Sequence, residues 1–513
     1  MKRLISCVLA LLYVMAGFAS GTWILHGKEY RVDTLYHAYI GPGTTQTSIK
    51  LAGPVNLRVF YTTTDLKNEN VDVRAIKHKD TLTGLGTVSN AAESHSTSSR
   101  SYFAGINADF FSSSMPCGIT IVDGEVYCSD QASGWSLFGI DANKIPYSGG
   151  GDFYVKLTAP DYSTAELSAM NLERETNGLV LYSSRKGANT GTDSNGSEVV
   201  LIPDGEGNFL TPGATVRMRV QGNPNHAGSM PIPDNGYILS GSGTKESFVS
   251  NLSEGDVVEV RCAIRFNGFT GGKIQQALGG CPMLVSGGEV LDTENALDHL
   301  TSAQPRTAVG YNAEKNKLVM LVADGRSSIS VGPISKVLAD IMIYAGCSEA
   351  MNFDGGGSST FYVKGEGVIN QPSDGSERSV ADGLYLSTDA PQNDVTITTI
   401  RFMDYAKTLN QGDAYTPVIY GYNQYGVLVD RNVEGVTLSC GSSLGTITND
   451  GTTLNALGSG THMLTAGYGN LTTSLSVTVI GESGISSVDN SQVLMIYPNP
   501  VEQGTAVVVC VSE

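Results

Sequence analysis

The chain has 513 residues, long enough for about two to four domains and a large hydrophobic core. Its 32 Lys and Arg residues stand against 50 Asp and Glu residues, which gives a net charge of −18 and argues against nucleic acid or an anionic membrane as a partner. The 61 glycines and many short runs of Val, Ile and Thr favour a protein of strands and turns over a helical one.

The N-terminus predicts a secretory signal peptide over residues 1–19. Lys2 and Arg3 give a positive start, residues 4–15 form an apolar core, and residues 17–19 form a small-residue cleavage end. The apolar run is too short for a comfortable membrane span. We therefore expect export, with the mature protein in the periplasm, on the cell surface or outside the cell.

The cysteines give one expectation. Of the eight in the chain, Cys7 belongs to the signal peptide, so an odd number remains after its removal. Cys117 and Cys128 flank the sequence GITIVDGEVY, which predicts a hairpin that turns at Asp123-Gly124. An oxidising compartment would allow a disulfide across this hairpin, and the sequence leaves the partner of each cysteine open. The cysteines do not have the spacing of zinc ligands.

Changes in composition divide the rest of the chain. Residues 20–100 form a β-rich N-terminal segment, and residues 101–390 form a glycine-rich part that carries the chemical motifs. Residues 394–481 contain short strands at intervals of about ten residues, separated by Asp-Gly and Gly-Ser turns, which predicts a small β-sandwich. This segment resembles the bacterial Ig-like domains of secreted enzymes.

The last segment, residues 482–513, predicts a linker followed by VLMIYPNP. Its YPNP sequence resembles the start of the C-terminal sorting domain of type IX secretion, so cell-surface association through the C-terminal region is expected.

A strand–helix–strand unit is predicted in the motif-bearing part. Residues 318–323 are apolar at every position, as expected for a strand covered on both faces. Pro333 opens a helical pattern that ends near Gly346, and EAMNF predicts a second strand. If the two strands are parallel, Asp324 and Asp354 leave the sheet at the same edge, where ligands of open α/β sheets bind.

Polar residues concentrate around this edge. Asp354 is followed by three glycines and two serines, Gly355, Gly356, Gly357, Ser358 and Ser359, and such a loop presents backbone N–H groups and hydroxyls to an anion. Asn352 and Asp354 are two residues apart, which predicts a shared strand face. The pair Asn107 and Asp109 repeats this spacing in NADFF.

Two arginines complete the set. Arg306 in PRTAVG and Arg378 in SERSV carry the planar guanidinium that suits capture of phosphate. Taken singly, an Asp beside a Gly is most often a turn residue and an isolated Arg a surface charge. The convergence of these residues predicts a site.

The segments NADFF, YILSGSG, PRTAVG, ADGR and NFDGGGSSTFYVKGEGVINQPSDGSERSVA, in this order, resemble the phosphodiester glycosidase family, which includes N-acetylglucosamine-1-phosphodiester α-N-acetylglucosaminidases. The resemblance covers residues 100–388. It implies hydrolysis of a sugar 1-phosphodiester, with release of the free sugar and a phosphomonoester. The expected fold is α+β, a β-rich mixed sheet with a strand–helix–strand unit, plus the small all-β sandwich.

The resemblance also implies roles for the matching residues. Asp354 is expected to act as nucleophile or to activate water, with Asp324 orienting the substrate or raising the basicity of Asp354. Arg306, Arg378 and the amides of residues 355–357 are expected to stabilise the phosphate. Asn107 and Asn352 fall on motif positions, whereas Asp109 stands where many relatives have Gly. No cofactor is required by this chemistry.

Three alternatives stay open. In the first alternative, the protein is a non-catalytic surface protein that binds glycans. In the second, the enzyme cleaves phosphodiesters of an exopolysaccharide or of a phosphorylated host glycan. In the third, Asp109, Asp324 and Asp354 hold a divalent ion such as Ca²⁺, which prefers oxygen ligands.

Overall fold

The computed structural model describes residues 21–130, 134–205, 209–266, 273–293 and 300–481, together with the backbone of two further strands. The chain divides into two units, one that runs to Thr398 and includes Tyr422–Asp430, and one made of Thr399–Gly421 and the residues from Arg431. The predicted signal peptide and most of residues 482–513 lie outside the described residues. Within the described residues, no helix has both the length and the hydropathy needed to cross a membrane.

Sheet A is the frame of the first unit and has nine antiparallel strands. In spatial order these are Gly21–Leu25, Lys28–Gly41, Thr44–Ala52, Asn56–Asp65, Lys317–Ala323, Arg306–Tyr311, Glu349–Asn352, Met283–Ser286 and Glu289–Val290. The N-terminal segment thus shares a sheet with the motif-bearing part, so residues 20–100 and 101–390 build one unit.

Three smaller sheets complete this unit. Sheet B contains Gly367–Val368, Phe361–Val363, Ser101–Asn107, Asp382–Thr388 and Asp72–Lys77. Sheet C contains Glu125–Cys128, Thr120–Val122, Ile274–Gly280, Ser136–Asp141 and Pro146–Gly149. Sheet D contains Thr164–Glu166, Gly151–Thr158, Val257–Phe266, Thr215–Asn225, Gly196–Pro203, Tyr237–Ser242, Leu179–Tyr182 and Ala169–Met170. A two-stranded ribbon joins Phe111–Ser112 to Met115–Pro116.

The described residues form three α-helices, α1 (Val88–Ser94), α2 (Glu246–Ser250) and α3 (Ser335–Tyr344), and three 3₁₀ turns at Ser184–Lys186, Gly243–Lys245 and Gly356–Ser358. The predicted helix after Pro333 is α3, and Gly346 just beyond its end has a φ of +98°, a conformation that glycine adopts without strain. The β-rich composition of the fold agrees with the predicted mixed α+β class.

Apolar side chains of the strand Lys317–Ala323 point alternately to its two faces, and each face packs into a different hydrophobic core. Leu318, Met320 and Val322 pack into the core between sheet A and sheet B. Val319, Leu321 and Ala323 pack into the core beneath α3. The prediction of a strand covered on both faces is confirmed, since successive side chains of a strand point to opposite faces.

The strand–helix–strand prediction needs one correction. Lys317–Ala323 and Glu349–Asn352 are not neighbours, because the antiparallel strand Arg306–Tyr311 lies between them and pairs with both. Since both outer strands oppose the same central strand, they run in the same direction, and their carboxyl ends meet at one edge. The central strand starts at that edge with Arg306.

The hairpin prediction is correct, and the disulfide that the sequence allowed across it is not formed. Thr120–Val122 and Glu125–Cys128 pair antiparallel around Asp123 and Gly124, whose φ values of +51° and +83° suit a two-residue turn. Cys117 precedes the first strand of the hairpin, and both Cys117 and Cys128 are free thiols.

The described residues of the second unit form β-strands and no helices. Ala406–Asn410, Leu471–Ile480, Gly460–Tyr468 and Thr437–Cys440 form one sheet, in which the first pair is parallel, and Ala414–Tyr415, Thr453–Ala456 and Gly445–Thr448 form another. Further strands are Thr399–Phe402, Ile419–Tyr422 and Leu428–Asp430, the last in the first unit, and the pair Leu494–Tyr497 and Val508–Val511. The β-rich character was predicted, whereas the Ig-like topology and the sorting signal stay predictions.

Candidate active site

The candidate site lies at the edge of sheet A where Lys317–Ala323 and Glu349–Asn352 end and Arg306–Tyr311 begins. Asp324 follows the first of these strands, and Asp354 follows the second. The register sets Arg306 opposite Ala323 and Ala308 opposite Asn352. The sheet therefore gathers residues that are far apart in the sequence, without the parallel pairing that was expected.

Asp354 is the half-buried carboxylate of this edge. Burial raises its pKa to about 6, while a hydrogen bond from Ser358, the charge of Arg378 and the Gly355 amide act in the opposite direction. A carboxyl group with such a pKa is ionised at neutral pH yet basic enough to take part in acid–base or nucleophilic chemistry.

The three glycines after Asp354 are required by close contacts. A Cβ on Gly355 would lie 2.7 Å from the carbonyl oxygen of Pro305, and Gly356 has a φ of +62°. A Cβ on Gly357 would overlap the side chains of Arg378 and Asp374. Protein groups therefore occupy the space where these Cβ atoms would lie, and the Gly356 amide donates to the Pro305 carbonyl at 2.9 Å.

Two guanidinium groups flank this loop. Arg378, whose side chain is 40% exposed, forms an ion pair of 2.6 Å with Asp374 and donates from Nη1 to Ser358 Oγ over 3.3 Å. Arg326 is exposed, donates to Gln304 Oε1 at 2.6 Å, and its Nη2 lies 3.0 Å from where a Gly356 Cβ would be. Gly356 thus lies beside Arg326, and Gly357 lies beside Arg378.

Asn107 supports the loop from sheet B. Its Nδ2 donates to the Asp354 carbonyl at 2.7 Å, and its Oδ1 accepts from Thr307 Oγ1 at 2.8 Å and from the Thr360 amide at 3.1 Å. Asn107 is fully buried. Its contacts indicate that it holds the Asp354 loop in place.

Arg306 and Asp324 differ from the expectation for substrate-contacting groups. Arg306 is 1% exposed and donates to the carbonyls of Pro333, Leu300 and Ser302. Burial lowers its pKa to about 10. Its described contacts connect the segment at residues 300–302 with Pro333, and its expected role in binding phosphate stays a prediction.

Asp324 is likewise 3% exposed. Its Oδ1 accepts from Asn370 Nδ2 at 3.2 Å and from the Gln371 amide at 2.9 Å, and burial raises its pKa. Asp324 therefore anchors the segment that leads towards Arg378.

The predicted shared face of Asn352 and Asp354 is not found, because the strand ends at Asn352 and Asp354 belongs to the loop. Asn352 Nδ2 donates to the Cys281 carbonyl at 2.7 Å. Ser359 is buried and its Oγ accepts from Thr307, whereas Ser358 contacts both Arg378 and Asp354.

Asp109 is buried inside the protein, with little of its side chain in contact with solvent. It is 1% exposed, and its carboxylate accepts from the Gly118 amide at 2.6 Å and from Trp135 Nε1 at 3.2 Å. Its own amide donates to Asp382 Oδ1 at 2.9 Å. Burial, followed by the neighbouring Asp382, raises the pKa of Asp109 well above its ordinary value.

Two residues of this region were missed in the sequence. Arg326 belongs to the ADGR segment, which the sequence analysis noted without giving a role to the arginine. Asp382 follows the quoted SERSVA segment and carries no local signal, since only the pairing of distant strands brings it to Asp109.

The described residues contain no group of three or more His, Cys, Asp or Glu side chains arranged to hold a metal ion. Asp109, Asp324 and Asp354 are accordingly not assembled into a common ligand set. A pocket of about 630 Å³ lies elsewhere, between the hairpin of sheet C and sheet D, and is lined by residues such as Asp123, Phe209 and Arg217.

Comparison with known families gives a match in the same region. Residues 213–387 match the family model for phosphodiester glycosidase. This range, less than half of the chain, includes Asp324, Asp354 and Arg378, and it leaves out Asn107 and Asp109. The expected resemblance from residue 100 onward is thus supported for its larger, C-terminal part.

Individual relatives are more distant. The chain is 40% identical over 88 residues to the SPbeta prophage-derived uncharacterized protein YomE of Bacillus subtilis (strain 168), which is 17% of this chain and 13% of that protein. Among solved structures, a protein of Burkholderia pseudomallei K96243 named as a candidate exported protein has a TM-score of 0.53 at 18% identity, over 72% of this chain and 99% of that one. A hypothetical protein from Synechocystis gives a TM-score of 0.53 at 15% identity, over 67% and 62% of the two chains. These structures support the fold alone.

Proposed function

We propose that this protein is an exported glycosidase that hydrolyses a sugar 1-phosphodiester, of the kind formed by N-acetylglucosamine, to the free sugar and a phosphomonoester. The observation that carries the proposal is the position of the Asp354 carboxylate beside a glycine loop flanked by Arg326 and Arg378. The match of residues 213–387 to the phosphodiester glycosidase family supports the same reaction class. An exopolysaccharide phosphodiester is a second substrate of this class.

The phosphate end of the substrate fits the glycine loop. In the reaction the bond between the anomeric carbon and the phosphate oxygen breaks, and the bonding electrons leave with the phosphate. A phosphate needs charge stabilisation more than proton donation, and preorganised N–H and guanidinium donors supply it. Arg378 and Arg326 present guanidinium donors beside the glycine loop, whose Gly356 amide already donates to the Pro305 carbonyl.

The sugar end falls to Asp354. Its ionised carboxylate either attacks the anomeric carbon or removes a proton from the attacking water, and an oxocarbenium-like transition state forms beside its negative charge. Water delivers hydroxyl to the sugar and a proton to the phosphate or solvent. The pKa of about 6 leaves Asp354 ionised at neutral pH, as both roles require.

The test uses purified protein with methyl-phospho-N-acetylglucosamine and UDP-N-acetylglucosamine, followed by detection of free sugar and of the phosphate-containing product. We expect both products in equal amounts from the wild type, and none from Asp354→Asn protein with an unchanged circular dichroism spectrum. Silence of the wild type across a panel of sugar 1-phosphodiesters, with intact binding of the same glycans, would instead favour the non-catalytic glycan-binding protein.

A further inference from the structure

Both backbone groups of Asp354 are held by one turn of the chain, residues 107–109. The Asp354 amide donates to the Ala108 carbonyl at 2.8 Å, and the Asp354 carbonyl accepts from Asn107 Nδ2 at 2.7 Å. The position of the Asp354 carboxylate therefore depends on the position of this turn.

The same turn is held by Asp382 from the neighbouring strand. Asp382 Oδ1 accepts from the Asp109 amide at 2.9 Å, and the Asp382 carbonyl accepts from the Ala108 amide at 3.3 Å. Gly383, the next residue, pairs with Asn107 in sheet B. Asp382 thus uses its side chain and its backbone on two successive amides of the turn.

The burial of Asp382 is costly and calls for an explanation. Asp382 is fully buried, and among the described residues its Oδ2 has no hydrogen-bond partner. Lys77 is its partner in the strand register, yet Lys77 Nζ donates to the carbonyls of His78 and Gly84. A buried carboxyl group without a full set of partners reduces the stability of the folded protein, so its presence points to a role other than stability.

We propose that Asp382 is a positioning residue for the hydrolysis, acting on Asp354 through the Asn107–Asp109 turn and through its own charge. This inference rests on the proposed function. Asp382 does not touch the substrate in this account, and it fixes the place and the protonation of the carboxylate that does.

The charged and titratable groups that face Asp382 set the sign of the electrostatic part. Electrostatic interactions link Asp382 to Lys77 of the adjacent strand, to Asp109 and Cys117 of the turn and the segment after it, to Cys128 of the hairpin, to Tyr385 of its own strand and to Asp354 of the loop. Burial raises the pKa of Asp382 to about 6, Lys77 acts in the opposite direction, and Asp354 raises this pKa further. Interacting carboxyl groups resist simultaneous ionisation, so loss of the Asp382 carboxyl should let Asp354 ionise at lower pH.

Two variants separate the parts of the proposal. Asp382→Asn keeps an oxygen that can accept from the Asp109 amide and removes the charge, whereas Asp382→Ala removes both. The matched control is Asp141→Asn, which changes a buried carboxylate of sheet C that also accepts backbone amides, those of Asn143 and Ile145.

The expected result for Asp382→Ala is a kcat lower by about tenfold to hundredfold with KM within about twofold, because a misplaced group costs turnover more than binding. Asp382→Asn should recover most of kcat, and the acid limb of its pH–rate profile should move to lower pH. Asp141→Asn should leave kcat and the limb unchanged. Wild-type kcat in a folded Asp382→Ala variant, or an Asp382→Asn variant whose acid limb has not moved, would overturn the proposal.

A second readout separates failure of this inference from failure of the proposed function. Amide hydrogen exchange reports the turn without any substrate, and Asp382→Ala should speed exchange at Asp109 and Asp354 relative to Asp141→Asn. If the wild type hydrolyses no sugar phosphodiester while this exchange result holds, the proposed function fails, and the role of Asp382 in holding the turn of residues 107–109 remains. Unchanged exchange at both amides would show that Asp382 does not hold this turn in place.

Discussion

The polar residues at the edge of sheet A fall into two groups that look alike in the sequence. Asp354, Arg326 and Arg378 form the open group, in which Asp354 is half-buried and both guanidinium groups reach solvent. Asp324 and Arg306 form the closed group, since both are buried and donate to or accept from protein groups. Residue types are the same in both groups and both have protein partners, and the difference is that the open group reaches solvent while the closed group is buried. We therefore propose that the open group binds the substrate and that the closed group supports the loops.

The largest effect is expected for Asp354→Asn. This change removes the negative charge beside the anomeric carbon, so we expect kcat/KM to fall by at least about 10³-fold. The free energy of unfolding should not decrease, because the variant no longer buries a group whose charged form is poorly solvated. Steady-state kinetics and chemical denaturation measure the two quantities, and retained turnover in a folded variant would contradict the assignment.

Arg378→Lys is expected to have the next largest effect. Lysine keeps the charge and loses the planar fork that holds Asp374 and reaches Ser358, so we expect kcat/KM to fall by about tenfold to hundredfold. Arg326→Lys is the matched comparison on the other side of the loop and should also lower kcat/KM. Wild-type kinetics in both variants would remove the arginines from the site.

The pH–rate profile should have an acid limb near pH 6. Asp354 must be ionised, and burial raises its pKa to about 6, so kcat/KM should fall about tenfold per pH unit below that value. A buried carboxyl with a raised pKa makes its full stabilising contribution below its ordinary value of about 4 and loses it as the pH rises through about 6. The melting temperature of Asp354→Asn should accordingly gain on that of the wild type as the pH rises from 4 to 7. Parallel melting curves would contradict the raised pKa.

Changes in the closed group should appear in stability before they appear in chemistry. Asp324→Ala leaves the Asn370 side chain and the Gln371 amide without their acceptor, which costs about 1–3 kcal/mol. Asp324→Asn keeps an acceptor oxygen and should cost less. Urea denaturation separates the two variants, and equal loss of stability in both would argue that the carboxylate charge itself is needed there.

The smallest effect is expected from a chelator. We propose that the reaction needs no metal, because the guanidinium groups of Arg326 and Arg378 stabilise the charge of the leaving phosphate. EDTA should leave kcat/KM unchanged, and Ca²⁺ should not raise it. A loss of activity in EDTA that Ca²⁺ restores would support the alternative in which aspartates hold a divalent ion.

The sequence predicted the elements whose signals are local. The apolar run before Asp324, the helix after Pro333 and the turn at Asp123-Gly124 were found because periodicity and turn residues act over a few positions. The strand Arg306–Tyr311 was not expected between its two neighbours, since strand pairing is a long-range choice. The buried state of Arg306 was missed for the same reason, as was the link from Asp382 to Asp109. A motif gives the residue types of a site, and the contacts that use up their polar atoms come only from the folded chain.

The most direct test of this division compares Asp354→Asn with Asp324→Asn in one assay on methyl-phospho-N-acetylglucosamine, with melting temperatures for both. We predict that Asp354→Asn loses at least about 10³-fold in kcat/KM and that Asp324→Asn stays within about tenfold of the wild type. The opposite order, with turnover kept in Asp354→Asn and lost in a folded Asp324→Asn protein, would contradict it.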